Sequence, residues 1–169
     1  HWENGRELSS NEMKQTRVAH LLKKIHNSRP LLSMLKRMEM EPITPEIMLN
    51  KINASLSREV LTHHIVRKSL TYLEEHMPSL DSRFFTVVHG DVNHNNWLLS
   101  DRDELFLVDW EGAMIADPAI DIGMLLYNYV PQQQWSEWLE TYGVQESLNL
   151  NKRMKWYTVC LLYTSLMAR

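Results

Sequence analysis

The chain has 169 residues, 44% of them hydrophobic, with a formal net charge of −3, which makes one domain with enough apolar content for a core. The balanced charge offers no basic stripe for nucleic acid, and no apolar run approaches the ~20 residues of a membrane-spanning helix. A lone cysteine, Cys160, excludes an internal disulfide framework and fits a reducing compartment, so the chain is expected to be cytoplasmic, with no nucleic-acid or membrane partner.

His1-Trp2-Glu3-Asn4-Gly5 has neither an initiator methionine nor a signal-peptide core, and the chain reads as a fragment. Ser9-Ser10-Asn11-Glu12 has capping-box spacing and opens a helical pattern. Met13, Val18, Leu21, Leu22 and Ile25 recur at helical period up to His26, and Pro30 closes the segment. Thr44-Pro45 is a second start signal, a cap followed by a first-turn proline. A longer helix is expected from Ser57 through Val60, Leu61, Leu70 and Leu73, stopping before Pro78.

The texture changes at Arg83. Phe84 to Val88 is β-branched and aromatic, hence strand-like. Trp97–Ser100 and Leu105–Val108 are two further short strands around the polar residues 101–104. After Asp117-Pro118 the helical period resumes through Ile122, Leu125, Leu126 and Tyr129. Pro131 to Tyr142, ended by Gly143, is another helix, and a last one begins at Leu150. Residues 160–169 have two readings, a non-native adapter-derived tail or the continuation of that helix. The expected class is α+β, mainly α, with a small β-hairpin that carries the active site.

The chemistry concentrates around that hairpin. His89-Gly90-Asp91-Val92-Asn93-His94-Asn95-Asn96 lies between the first two strands, and Asp109-Trp110-Glu111 follows the third. A four-residue turn at 101–104 would set Asn96 opposite Asp109, where paired residues have Cα atoms ~4.5–5.5 Å apart. An amide oxygen and a carboxylate aimed at one point suit Mg²⁺, a hard cation that takes few protein ligands. Asp91, five residues before Asn96, is placed to receive a proton from an attacking hydroxyl. Phosphoryl transfer needs those parts, because its loose transition state is served by positioning and charge neutralisation. At ~5% per residue type, a chance His-Gly-Asp-x-x-x-x-Asn in a chain this long arises about once in a thousand.

His89 to Asn96, Val108-Asp109-Trp110-Glu111 and Asp117-Pro118-Ala119-Ile120-Asp121-Ile122-Gly123 together resemble the aminoglycoside phosphotransferase and choline kinase family, and within it the YtmP-type proteins of Gram-positive bacteria. The resemblance implies a protein-kinase-like fold, of which residues 9–159 are the C-terminal catalytic lobe and residues 1–8 a remnant of the interlobe hinge. It implies ATP as co-substrate, Mg²⁺ as cofactor, and a small-molecule alcohol such as choline, ethanolamine, thiamine or an aminoglycoside as acceptor. Carried over by motif, Asp91 is the catalytic base, Asn96 and Asp109 are the metal ligands, and Asp121 and His89 support the catalytic loop. Trp110 and Glu111 are candidate substrate contacts. The usual His-Pro-Gly of the family loop is replaced by Asn93-His94-Asn95, which implies altered loop contacts with the spacing kept. The Gly-rich loop, strand lysine and helix glutamate of an ATP-clamping N-terminal lobe do not occur in these residues, so the fragment alone is expected to turn over little.

Blander readings stand beside these. His94 reads as an exposed loop histidine, Asp117 as the cap of the next helix, and Trp110, Tyr127, Trp135 and Trp138 as core aromatics before an ammonium box. Competing functions are a catalytically inactive kinase-like binding module and a metal-dependent phosphoesterase. Intact Asp91, Asn96 and Asp109 argue against the first, and binuclear hydrolases need more scattered His and Asp ligands than this chain offers.

Overall fold

A computed structural model describes residues 4–57 and 62–167, with side chains as far as Tyr163. Seven helices are described: α1 (Thr16–His26), α2 (Arg29–Arg37), α3 (Pro45–Ser55), α4 (His64–Glu75), α5 (Ala119–Tyr129), α6 (Trp135–Tyr142) and α7 (Leu148–Met167). Five short strands accompany them: β1 (Gly5–Glu7), β2 (Thr86–Val88), β3 (Trp97–Ser100), β4 (Leu105–Leu107) and β5 (Met114–Ala116). The strands form two small antiparallel sheets, ordered β1-β3-β4 and β2-β5. The mainly helical α+β class expected from the sequence is what forms.

Local signals act largely as expected, with instructive exceptions. Thr44 Oγ1 accepts from Ile47 N at 3.3 Å, and Pro45 occupies the first turn of α3. At the start of the chain, Ser9 N and Oγ both donate to Glu12 Oε2, at 2.9 and 2.8 Å. That box closes a turn, and the helix itself begins only at Thr16. The Glu12 carboxylate is gripped by the Arg6 guanidinium at 2.6 and 2.8 Å, which ties the turn to β1. Pro30 does not end a helical segment but opens one. Its missing N–H costs nothing in a first turn, and Ser28 caps α2 by accepting from Leu31 N at 3.3 Å. The expected helix from Ser57 is seen from His64; Val60 and Leu61 lie outside the described residues. Phe84 closes a 3₁₀ turn and is 79% exposed, so the strand is confined to Thr86–Val88. Its partner β5 had no signal of its own.

The principal core lies around α5, whose Ile120, Ile122, Leu125 and Leu126 are all buried. A helix that is apolar on every side belongs inside, and α5 packs there against α7. Gly123 permits the close approach: a Cβ at that position would meet the Met154 backbone oxygen at 3.1 Å. α7 is fixed to α4 by Trp156 Nε1 donating to Leu73 O at 2.9 Å and by Tyr163 Oη donating to Val66 O at 2.6 Å. Cys160 and Tyr163 are buried in this same core, and the helix continues through Met167. A smaller cluster of Leu35, Phe85, Val87 and Ile115 sits under α2. Between the two cores runs the polypeptide that carries the polar site.

Candidate active site

The loop after β2 is held in shape from below and from behind. Below it, Val92 and Trp97 are fully buried, and Trp97 Nε1 donates to Val92 O at 3.2 Å. An indole buries ~150–250 Å², ~4–6 kcal/mol at ~25 cal/mol per Å², so the loop has a firm floor. Behind it, the Asp121 side chain is fully buried on the first turn of α5. Its Oδ2 accepts from His89 N at 2.8 Å and its Oδ1 from Gly90 N at 2.9 Å.

Asp121 has a third partner that sequence reasoning passed over. His26, at the end of α1, places Nε2 3.0 Å from Asp121 Oδ2 and Nδ1 2.7 Å from Tyr142 Oη. A carboxylate only accepts, so Nε2 carries the proton; in the neutral ring Nδ1 then accepts from the Tyr142 hydroxyl. Burial and the nearby Asp121 and Asp117 charges push the Tyr142 phenol well above its ordinary value, so it stays a donor. α6, α1 and α5 thus converge on two backbone amides of the loop. His26 lies 95 residues from Asp121, and no local spacing could have announced the pair.

His89 itself is fully buried. Its Nδ1 accepts from Asp91 N at 3.3 Å, and its Nε2 donates to Val108 O at 2.9 Å. Both ring nitrogens are therefore committed to backbone, one on each side of the site. The ring edge also meets Trp110, centroid to centroid 4.8 Å. Gly90 takes φ +82°, and a Cβ there would stand 2.8 Å from both Gly112 O and the Met114 methyl, so the loop packs closely on the segment after β4 at this point.

Asp91 is exposed, and its carboxylate is oriented by two amides. Asn93 Nδ2 donates to Oδ1 at 2.6 Å; Asn96 Nδ2 donates to Oδ2 at 3.1 Å and to the Asp91 carbonyl at 2.8 Å. With its nitrogen spent on Asp91, Asn96 keeps its amide oxygen for another partner. The replacement residues Asn93-His94-Asn95 do give the loop its own contacts. Asn93 Oδ1 accepts from Asn95 N at 3.0 Å, and His94 is half-buried against Tyr129, whose hydroxyl accepts its N–H at 3.1 Å. The reading of His94 as an exposed loop residue is corrected accordingly.

The hairpin forms one residue out of the expected register. Trp97 pairs with Leu107 and Leu99 with Leu105, and Asn96 O accepts from Val108 N at 2.9 Å. Asn96 therefore faces Val108, and Asp109 lies one position beyond. The cause is the turn. Ser100 N donates to Glu104 O at 2.9 Å, which leaves a three-residue loop whose last residue, Asp103, is left-handed at φ 62°, a common alternative to the four-residue turn. Arg17 forks onto Asp103 at 2.9 and 3.1 Å and fixes that choice from α1. A one-residue slip ordinarily sends side chains to the opposite face. Here Asp109 leaves the strand in the left-handed region, at φ 62° and ψ 68°, so the alternation of β4 does not extend to it. Such backbone costs on the order of 1–3 kcal/mol and gathers at functional sites. Asp109 is exposed, and its carboxylate takes no hydrogen bond from the described residues.

The structure thus brings His89, Asp91, Asn96 and Asp121 into one hydrogen-bonded unit and joins Asp109 to it through the backbone of Val108. The donor set fits Mg²⁺: an amide oxygen just before β3 and an unpaired carboxylate just after β4 are hard oxygen ligands. Among the described residues no three His, Cys, Asp or Glu side chains are grouped to hold a metal ion. Asp117 does cap α5, accepting from Ala119 N at 3.0 Å, and both its oxygens also accept from Arg153 Nη1, at 2.6 and 2.8 Å. The aromatics form no box. Trp135 packs on Tyr127 at 4.9 Å and Trp138 on Tyr142 at 5.9 Å, while Trp110 keeps to His89 and donates Nε1 to Leu107 O at 2.9 Å.

A family model described as the phosphotransferase enzyme family matches residues 2–157. Among solved structures, the chain is similar to choline kinase LicA from Streptococcus pneumoniae, with a TM-score of 0.66, 18% identity, and coverage of 100% of this chain and 62% of that one. It is similar to a type I macrolide 2'-phosphotransferase (TM-score 0.65, 21% identity, 94% of this chain, 53% of that one). It also resembles a spectinomycin phosphotransferase in complex with AMP (TM-score 0.67, 14% identity, 99% and 60%). The chain therefore spans between about half and two thirds of the length of these proteins, and at such identities the likeness is one of fold.

Proposed function

This chain belongs to the phosphotransferase enzyme family, and from that premise we propose that it is the catalytic lobe of an ATP- and Mg²⁺-dependent kinase that phosphorylates a small-molecule hydroxyl. The observation that carries the reading is the Asp91 carboxylate, exposed at a loop tip and aimed by Asn93 and Asn96. Asp91 is the base: it accepts the proton of the attacking hydroxyl as the new P–O bond forms and the bond between the γ-phosphorus and the departing ADP oxygen breaks. Asn96 Oδ1 and the Asp109 carboxylate would hold the Mg²⁺ ion, which would supply charge neutralisation for the transferred phosphate. His89 does no proton transfer, since both its nitrogens are occupied by backbone; it keeps the Asp91 loop in step with Val108, the residue before Asp109. Asp121 fixes that loop through two amide donors, and His26 and Tyr142 fix Asp121. The AMP complex of a matched spectinomycin phosphotransferase supports the nucleotide.

The test is Asp91→Asn in the full enzyme, assayed by ADP release with a panel of alcohols. General-base catalysis contributes ~10²–10⁴-fold, so kcat should fall by that factor while nucleotide affinity stays within twofold. Turnover equal to the parent's ends the assignment.

A further inference from the structure

Beside the Asp109 turn lies a hollow of about 480 Å³, within the ~300–1,000 Å³ range of small-molecule sites. Its walls are Met34, Met38, Met40 and Val87 on one side and Trp110 and Glu111 on the other. Across Ala113 it adjoins a second hollow of about 520 Å³, bordered by Met40, Met48 and Met114. The two hollows share Met40 and Ala113, and taken together as one trough they are lined by five of the chain's ten methionines. Methionine is flexible and polarisable, and it forms walls that adapt to an irregular apolar guest. Met34 and Met38 are 42% and 63% exposed, an unusual placement that leaves apolar surface open to solvent.

We propose that this trough seats the body of the phosphate acceptor, and that the acceptor is an alcohol built on an apolar ring or chain, neither a compact polyol nor a polycation. The inference rests on the phosphotransferase reading above and adds the chemical class of the substrate. Continuity with the catalytic loop supports it: the Trp110 ring that forms one wall packs on His89 at 4.8 Å, and Gly112 meets Gly90 backbone to backbone. Charge supports it too. Among the described residues Glu111 is the single charged side chain lining the first hollow. Charged side chains return only in the second hollow, at Glu41 and Lys51, so the part of the guest in the first hollow carries one donor or amine group at the Glu111 end and is otherwise apolar. A polyol placed there would leave its hydroxyls without partners, each at a desolvation cost.

Methionine-methyl NMR of the 169-residue chain, with signals assigned by single Met→Leu changes, tests this without any transfer reaction. The probes are 2-(dimethylamino)ethanol, its benzyl counterpart 2-(benzylmethylamino)ethanol, and myo-inositol. The benzyl compound should shift the Met34, Met38 and Met40 signals and bind on the order of tenfold or more tighter than the dimethyl one, as apolar burial requires. Met38→Glu, at an exposed position, should erase that difference without unfolding the chain. Equal affinity for the two amines, shifts confined to other methionines, or preference for inositol overturns the proposal. Shifts that depend on protein concentration alone, and vanish in Met38→Glu, assign the surface to a second copy and also overturn it. In the full enzyme with ATP, phosphorylation of compact polyols with the trough signals unmoved refutes the trough but leaves the kinase reading intact. Tight benzyl-alcohol binding in the trough with no transfer to any alcohol refutes the kinase reading, and with it the acceptor role.

Discussion

Asp121→Asn isolates the brace behind the His89–Asn96 loop. The carboxylate accepts from His89 N, Gly90 N and His26 Nε2 at 2.8, 2.9 and 3.0 Å, with its side chain fully buried. Asparagine is nearly isosteric but offers one oxygen and one NH₂, so at least one buried donor is left facing another donor, at ~1–3 kcal/mol. The other bonds fall from charged to neutral acceptors, roughly 1 kcal/mol each. Relief of carboxylate desolvation offsets part of the loss, and about 2–4 kcal/mol of destabilisation remains. With a urea m-value of ~2 kcal/mol/M, the middle of the range for a small domain, the midpoint should drop by about 1–2 M, read by far-UV circular dichroism. The His89 and Gly90 amide resonances should move as well, whereas Asp101→Asn on the exposed hairpin turn should leave both readouts unchanged. A midpoint within about 0.3 M of the parent refutes the view that the loop hangs on this carboxylate.

Gly90→Ala puts a methyl 2.8 Å from Gly112 O at a residue with φ +82°. The left-handed backbone alone costs ~1–2 kcal/mol, and urea unfolding should show at least that loss; an unchanged midpoint contradicts the close approach. Cys160 is fully buried, and burial pushes its thiol up to about 12, so it should react with a thiol reagent at pH 8 only as fast as the chain unfolds. Labelling within minutes in native buffer, at the rate of a free cysteine, means the α7 core is open.

Much of this protein was readable residue by residue. His89, Asp91 and Asn96 act within one loop, so their spacing and their mutual geometry are nearly the same information. Thr44-Pro45 and the period of α5 are equally local, because capping and helical facing depend on neighbours three or four positions away. The hairpin's existence followed from two short strands around a polar turn. Its register did not, since that depends on whether Asp103 accepts a left-handed backbone, and Arg17 from a distant helix takes part in that choice. Pro30 was misread as a stop because a proline after a helical stretch and a proline inside a first turn look alike in one dimension.

The order of residues alone determined most of the helices, the β3–β4 hairpin, and the Asp91 carboxylate with the partners it has within a few positions. Only the folded chain decided that His26 and Tyr142 stand behind Asp121, that Asp109 reaches the site through a left-handed bend, and that methionines from α2, α3 and β5 flank one trough. The reason is that spacing along a chain encodes contacts within a turn or a hairpin. Contacts across 95 residues exist only once packing of the core has brought separate segments to the same place.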